Sequence, residues 1–215
     1  MSKKIVLIDY GMCNLLNVVR AFEHCGAEVH VTEDPKDLLH ADKVVVPGVG
    51  SFSECIREIE SRGFGEAVRL FSETDRPLLG ICVGMQMFFE SSEEFGLHAG
   101  LGILNGHVRA VPGITTEGEP QRVPHIGWSH LTRPETGREW GGTLLDDFQQ
   151  HQPAVYFVHS FAAVPADDTM RLADTVYGGH RICAAIQKNN LMATQFHPER
   201  SGPIGLAIAK RFVNL

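Results

Sequence analysis

Basic charge is in short supply in this 215-residue sequence: 19 Lys and Arg face 26 Asp and Glu, a net charge of −7. A protein that neutralises nucleic-acid phosphates ordinarily carries a basic face, so the balance argues against that role. Paired cysteine is also missing. The five cysteines, Cys13, Cys25, Cys55, Cys82 and Cys183, are odd in number and form no C-x-x-C. This speaks against a disulfide scaffold and a zinc ribbon and suits a reducing compartment. No apolar run is long enough to span a bilayer. The basic start, Met1-Ser2-Lys3-Lys4, leads into an apolar run that ends at Asp9, too short for a signal-peptide core, so a cytoplasmic protein is expected. Repeats, low-complexity tracts and interdomain linkers are absent, and the length suits one domain over residues 1–215. There is no G-x-x-x-x-G-K phosphate loop and no H-x-H or H-E-x-x-H. His125, His159 and His180 lie far apart, so no metal site is expected.

What is present is alternation. Residues 4–11 (KIVLIDYG) form a β-branched run that reads as a strand buried on both faces. In residues 14–26, Leu15, Val18, Val19 and Phe22 recur at helical spacing, with Asn14 placed to cap the start and Gly26 to end it. EVHVTED and KVVVPGVG read as strands with a short helix between them. Ser51 is placed to cap a helix carrying Ile56 and Ile59. PLLGIC reads as a strand and GMQMFFESS as a helix. Such alternation predicts a parallel sheet covered on both faces, with chemistry at the carboxyl ends of its strands. Beyond Ile103 the short runs HVRAV, YFVHSF, MRLAD and RICAAIQ predict antiparallel strands and hairpins. LMATQFHPE reads as one more strand. SGPIGLAIAKRFVNL reads as a closing helix with Ser201 as cap and Ile204, Ile208 and Phe212 on one face.

The densest chemistry lies in Gly80-Ile81-Cys82-Val83-Gly84. Glycine two before and two after a cysteine, where a strand passes into a helix, has the shape of a nucleophile elbow with Cys in place of Ser. The turn is sharp, and side chains at the flanking positions would collide. The helix that follows directs its first N–H groups at the sulfur, which favours a thiolate and offers a donor to an oxyanion. The same five residues also fit a small apolar cysteine at a buried strand end, and the pentapeptide alone does not separate the two.

A thiol nucleophile needs a base and a group to orient it. Gln195-Phe196-His197-Pro198-Glu199 contains both. Proline disfavours a helix, so an extended backbone is expected, with His197 and Glu199 facing the same way. Glu199 then accepts one imidazole N–H and leaves the other nitrogen for Cys82. Taken alone, this motif also fits a surface turn with a solvated His and Glu. Pro47-Gly48-Val49-Gly50 ends another strand. It either presents a peptide N–H to a substrate oxygen, directly or by a flip, or is a plain strand-to-helix turn. Elbow and dyad together point to a Cys-His-Glu triad.

In the order Pro-Gly-Val-Gly, Gly-x-Cys-x-Gly, His-Pro-Glu, the chain resembles the class I (triad) glutamine amidotransferases. DYGMCNLLNV, VPGVGSF, GICVGMQMFFE, VPHIGWSHL, YFVHSF and ATQFHPERSG run from Asp9 to beyond Gly202. They are similar to one branch, the glutaminase subunits of imidazole glycerol phosphate synthase in histidine biosynthesis. The resemblance implies an α/β, flavodoxin-like three-layer fold, with a mostly parallel central sheet and additional antiparallel strands in the C-terminal half. It implies that Cys82 attacks the side-chain amide of glutamine, that His197 protonates the leaving ammonia, and that Glu199 orients His197. Gly48, Val49, Gly50 and the N–H of Val83 would form the oxyanion hole, and Gln86, Glu94, Ser160 and Phe161 would hold glutamine.

The resemblance also implies transfer of ammonia to a separate (β/α)8 cyclase subunit in a heterodimer, with no cofactor and no metal. Asn14, Pro124, His125, Ile126, Gly127, Trp128 and Arg200 match positions at or near that interface. Trp128 also reads as a core aromatic and Arg200 as a solvated charge. The chain departs from the family pattern at Cys13, where glycine is usual, at Ser129 for asparagine, at Phe161 for tyrosine, and in the polar loop 132–142. A paralogous glutaminase serving another synthase, and a stand-alone cysteine hydrolase of the same fold, are the rival readings.

Overall fold

Strands that are apolar on both faces are stable only between two covering layers, and the first half of the chain supplies strands and cover alike. The computed structural model describes residues 4–136 and 138–215. Met1-Ser2-Lys3 of the basic start and Gly137 of the polar loop lie outside the described residues. In chain order, β1 (Lys4–Ile8), α1 (Leu15–His24) and β2 (Glu28–Thr32) precede a 3-10 turn at Pro35–His40. Then come β3 (Val44–Val46), α2 (Phe52–Ser61), α3 (Phe64–Ser72), β4 (Leu78–Ile81) and α4 (Val83–Met87). β5 (Phe89–Ser92), β6 (His98–Ala99), β7 (Leu104–Ala110), β8 (His125–Thr132), β9 (Ala154–His159) and β10 (Phe161–Pro165) follow. The chain closes with β11 (Arg171–Tyr177), β12 (His180–Lys188), β13 (Leu191–Thr194) and α5 (Gly202–Val213).

The large sheet has nine strands in the order β2-β1-β3-β4-β13-β12-β11-β8-β9. Neighbours are parallel from β2 to β13 and antiparallel from β13 to β9. A second sheet of four strands runs β10-β7-β5-β6. Every residue of β3, β4 and β13 is buried. α1 packs on α5, with the rings of Phe22 and Phe212 edge to face at 5.9 Å, and α2 packs on α3 and α4. The last strand of the sequence thus lies beside β4 in the parallel centre, Ala193 opposite Gly80 and Thr194 opposite Ile81. That register brings the residues after β13 next to Cys82.

Local pattern and structure part in four places. GMQMFFESS is helical only to Met87; Phe89–Ser92 is a strand. The carbonyls of Met87, Phe88 and Phe89, which a longer helix would use, accept instead from Leu101, Gly102, Ile103 and Leu104. The single helix expected after Ser51 is followed by a second, α3, the two separated by Gly63 in the left-handed region at φ +77°. Asn14, Ser51 and Ser201 stand at helix N-termini, but none makes a capping bond. Ser51 donates to the Glu54 carboxylate at 2.8 Å, and Ser201 is used elsewhere. Finally, Pro198–Arg200 is a 3-10 turn rather than extended chain, although His197 itself is extended at φ −101°, ψ 99°.

Candidate active site

The carboxyl end of β4 delivers Cys82 into a conformation that L residues rarely take, φ +57°, ψ −112°. Such a backbone costs about 1–3 kcal/mol and persists only where its surroundings enforce it. Here they do. Cys82 N–H donates to the Thr194 carbonyl at 2.7 Å, which ties the turn to β13. A Cβ on Gly84 would overlap the Val46 carbonyl oxygen, and one on Gly80 would lie 2.7 Å from Phe88 Cε2. Gly48 is equally constrained, its missing Cβ falling 2.7 Å from the Gly84 nitrogen. Glycine at these positions lets β3, β4 and α4 meet at van der Waals distance around the thiol.

The histidine arrives from β13. Its N–H donates to the Tyr156 carbonyl at 3.1 Å, its own carbonyl accepts from Ser201 Oγ at 2.7 Å, and Ser201 Oγ accepts from Tyr156 N–H at 2.9 Å. Ser201 therefore fastens the His197 backbone to β9 instead of capping α5. His197 Nδ1–H donates to Glu199 Oε1 at 2.7 Å, with both side chains 4% exposed. The contact that an extended chain was expected to give is made through the 3-10 turn. Burial pushes His197 down, but Cys82 and Glu199 outweigh it and raise the imidazole from 6.5 to about 10. Three buried side-chain atoms among the described residues have no hydrogen-bond partner: Thr175 Oγ1, His197 Nε2 and Glu199 Oε2. Two belong to this dyad, and Nε2 is the atom through which the imidazole exchanges a proton with a thiol or ligand.

Cys82 and His197 open onto a cavity of about 370 Å³, within the range of small-molecule sites. Its wall holds the predicted Val49, Gly50, Val83, Gln86, Glu94, Ser160 and Phe161, and Pro124 and Arg200 stand at it too. Some of these groups are already engaged. Glu94 Oε2 accepts from Phe52 N–H at 2.5 Å, so this carboxylate caps α2. The Ser160 carbonyl accepts from Val111 N–H, and the Phe161 carbonyl accepts from Gln86 Nε2 at 2.8 Å and His159 Nδ1 at 3.0 Å. Val49 N–H donates to the Met12 carbonyl at 3.1 Å. The Pro47 carbonyl accepts from Tyr10 OH at 2.7 Å and Cys13 Sγ at 3.8 Å, and the Val49 carbonyl from Cys55 Sγ at 3.5 Å. Cys13 adopts no positive φ, so the side chain in place of the family's glycine brings no strain and instead pins the strand after β3. Burial pushes Cys13 and Cys183 up to about 12 and Cys55 to about 11.

Pro124 and the β8 residues after it sort the predicted interface positions by strand alternation. Pro124, Ile126 and Trp128 are exposed, the last two at 58% and 57%. Trp128 meets the Tyr156 ring edge to face, and the Arg200 guanidinium lies over that same Tyr156 ring, 5.2 Å from its centroid. Asn14 is exposed before α1 and Gly127 half-buried. His125 is the exception: at 2% exposure it faces inward. Its Nδ1 meets His159 Nε2 at 3.0 Å and its Nε2 meets Ser129 Oγ at 2.9 Å. Sequence reasoning passed over His159 and Gln195. Both are buried polar residues at the ends of apolar strands, His159 closing β9 and Gln195 following β13, a pattern that by itself demands partners.

A family model for class-I glutamine amidotransferases matches residues 6–214. The chain is 46% identical over 213 residues to the imidazole glycerol phosphate synthase subunit HisH of Geobacter sulfurreducens, covering 97% of each chain. It is 41% identical over 211 residues to the subunit HisH 1 of Legionella pneumophila (strain Lens), covering 98% of this chain and 99% of that one. A crystal structure of a glutamine amidotransferase superposes with a TM-score of 0.71 at 16% identity, over 98% of this chain and 99% of the other, a likeness of fold alone.

Proposed function

Since the chain belongs to the class-I glutamine amidotransferase family, we propose that it is the glutaminase subunit of an imidazole glycerol phosphate synthase. In this role it acts in histidine biosynthesis as one domain and feeds ammonia to a (β/α)8 cyclase subunit. The observation that carries the reading is the meeting, at one cavity, of a cysteine on a strained elbow and a buried histidine held by a carboxylate. Relatives bearing the synthase name over nearly their full length support the choice of branch.

In the proposed reaction Cys82 gives its proton to His197 Nε2, and the sulfur attacks the side-chain carbonyl carbon of glutamine. The tetrahedral intermediate collapses as His197 hands that proton to the leaving nitrogen. The C–N bond breaks, ammonia departs and a thioester remains. Water, deprotonated by the same imidazole, hydrolyses the thioester to glutamate and restores the thiol. Glu199 holds the imidazole in one tautomer and favours its charged form. The Val83 N–H, in the first turn of α4, has no intrahelical partner and serves the oxyanion. Val49 N–H must leave the Met12 carbonyl before it can join it. Gln86 and Glu94 hold the substrate's polar groups. Exposed Ile126 and Trp128, with Arg200 beside the cavity, suit a partner docked over its mouth. Among the described residues no helix is long and apolar enough to cross a membrane; with five free cysteines, we place the protein in the cytoplasm.

The test is Cys82→Ser in complex with the cyclase. Glutamine-dependent synthesis should fall by at least about a thousandfold, while synthesis from added ammonia persists. Glutamine-dependent turnover at the unsubstituted rate sinks the assignment. Full glutamine hydrolysis without any partner would favour the stand-alone hydrolase.

A further inference from the structure

We propose that Gln195 is a further catalytic residue of this site, its side-chain amide donating a hydrogen bond to Cys82 Sγ and stabilising the thiolate that attacks. The inference rests on the reading of Cys82 as the nucleophile and extends it to a residue outside the triad. Gln195 follows β13 with no exposed surface. Its amide makes two side-chain contacts. Oε1 accepts from Gln86 Nε2 at 3.0 Å, and Nε2 donates to Cys82 Sγ at 3.7 Å.

Which end of an amide faces which partner is ordinarily ambiguous, but here the surroundings decide it. The Phe161 carbonyl can only accept, so the Gln86 atom 2.8 Å from it must be the NH₂ nitrogen. The same nitrogen faces Gln195, whose oxygen must therefore be the near atom, and this leaves the Gln195 NH₂ turned to the sulfur. His159 Nδ1 donates to the Phe161 carbonyl as well, at 3.0 Å. That carbonyl thus anchors a directional chain through Gln86 and Gln195 to Sγ. A flip of either amide would set two donors, or two acceptors, face to face inside the protein.

The chemistry follows from the geometry. A thiol is a weak hydrogen-bond acceptor and a thiolate a much stronger one, so the bond strengthens as Cys82 passes its proton to His197. A neutral amide also does not compete for that proton. His197 takes the proton while Gln195 steadies the negative sulfur from another direction until the S–C bond forms.

Gln195→Met keeps the length and removes the donor. Gln195→Glu keeps the shape and the acceptor for Gln86 but turns a carboxylate toward the sulfur. In the complex at neutral pH, two quantities are read. One is the rate at which iodoacetamide alkylates Cys82, followed by mass spectrometry of that residue. The other is kcat and KM for glutamine. Removing a hydrogen bond to a charged group should slow both alkylation and kcat by about tenfold to a hundredfold in the Met variant, and by more in the Glu variant. KM should stay within about threefold, as expected when an interaction of the reacting state is lost rather than substrate binding. Alkylation at the unsubstituted rate in either folded variant overturns the proposal. So does a loss confined to KM. Alkylation is independent of glutamine, so an unsubstituted protein that does not turn over glutamine would refute the glutaminase reading while leaving the role of Gln195 toward the thiolate separately measured.

Discussion

His197 and the pair His125–His159 are buried to nearly the same degree, with 3%, 2% and 6% of their surface exposed, and their charge states are opposite. Burial lowers all three. For His197 the thiol of Cys82 and the carboxylate of Glu199 reverse the effect and lift it to about 10. For His125 burial acts alone, and the imidazole falls to about 4. For His159 burial prevails over its bond to the Phe161 carbonyl, with charge on His125 or His197 opposing ionisation further, and it also falls to about 4. The lesson is that desolvation sets the default, and a neighbouring thiol and carboxylate together override it. One region becomes a proton carrier. The other becomes a neutral relay, in which His159 donates to a carbonyl and accepts from His125, and His125 accepts from Ser129.

Removing the carboxylate is the most direct way to break this contrast. Glu199→Gln should lower kcat for glutamine by about a hundredfold to ten-thousandfold. NMR titration should show His197 dropping from about 10 toward the ordinary 6.5. A His197 that still titrates near 10 would mean that Cys82, not Glu199, maintains the charge.

The second effect is on stability, and its sign differs between the regions. His197 binds its proton more tightly folded than unfolded, so its contribution is full below 6.5 and is lost as pH rises toward about 10. His125 and His159 bind theirs more weakly when folded, so stability is lost as pH falls from 6.5 toward about 4. His125→Phe should flatten that acid arm of the denaturation curve. At neutral pH it should cost about 1–3 kcal/mol, because His159 Nε2 is left without its donor. An unchanged acid arm would remove the pair from the account.

The smallest effect on the isolated chain is expected one residue pair along the same strand. Trp128→Ala, on the outward face of β8, should change folding stability by no more than about 0.5 kcal/mol. It should nevertheless weaken association with the cyclase by about 2 kcal/mol or more, read by titration calorimetry. Intact association and intact stimulation of glutamine cleavage would leave Trp128 without an interface role.

Much of this was legible in the linear chain. Buried strands run as unbroken apolar stretches, so β1, β3, β4 and β13 announced themselves, and the glycines around Cys82 are close-contact positions that the backbone makes necessary. The end of α4 was not legible. Phe88 and Phe89 carry helical spacing, and only the N–H groups of residues 101–104, thirteen to sixteen positions on, take the carbonyls that would have extended the helix. Nor were the caps, because Ser201 found a better use in joining His197 to β9.

The sequence by itself determined the reactive groups and their local setting: a cysteine on a glycine-flanked turn, a histidine two residues from a carboxylate, a glycine-rich strand end. Those depend on short-range sterics and residue chemistry. Only the tertiary structure decided that β13 pairs with β4, which sets His197 and Gln195 beside Cys82 from more than a hundred residues away. It also decided that His125 turns inward while Trp128 turns out, and which histidine is charged. Charge in a buried site depends on what lies within a few ångströms, and that neighbourhood is assembled by chain topology, which no local pattern contains.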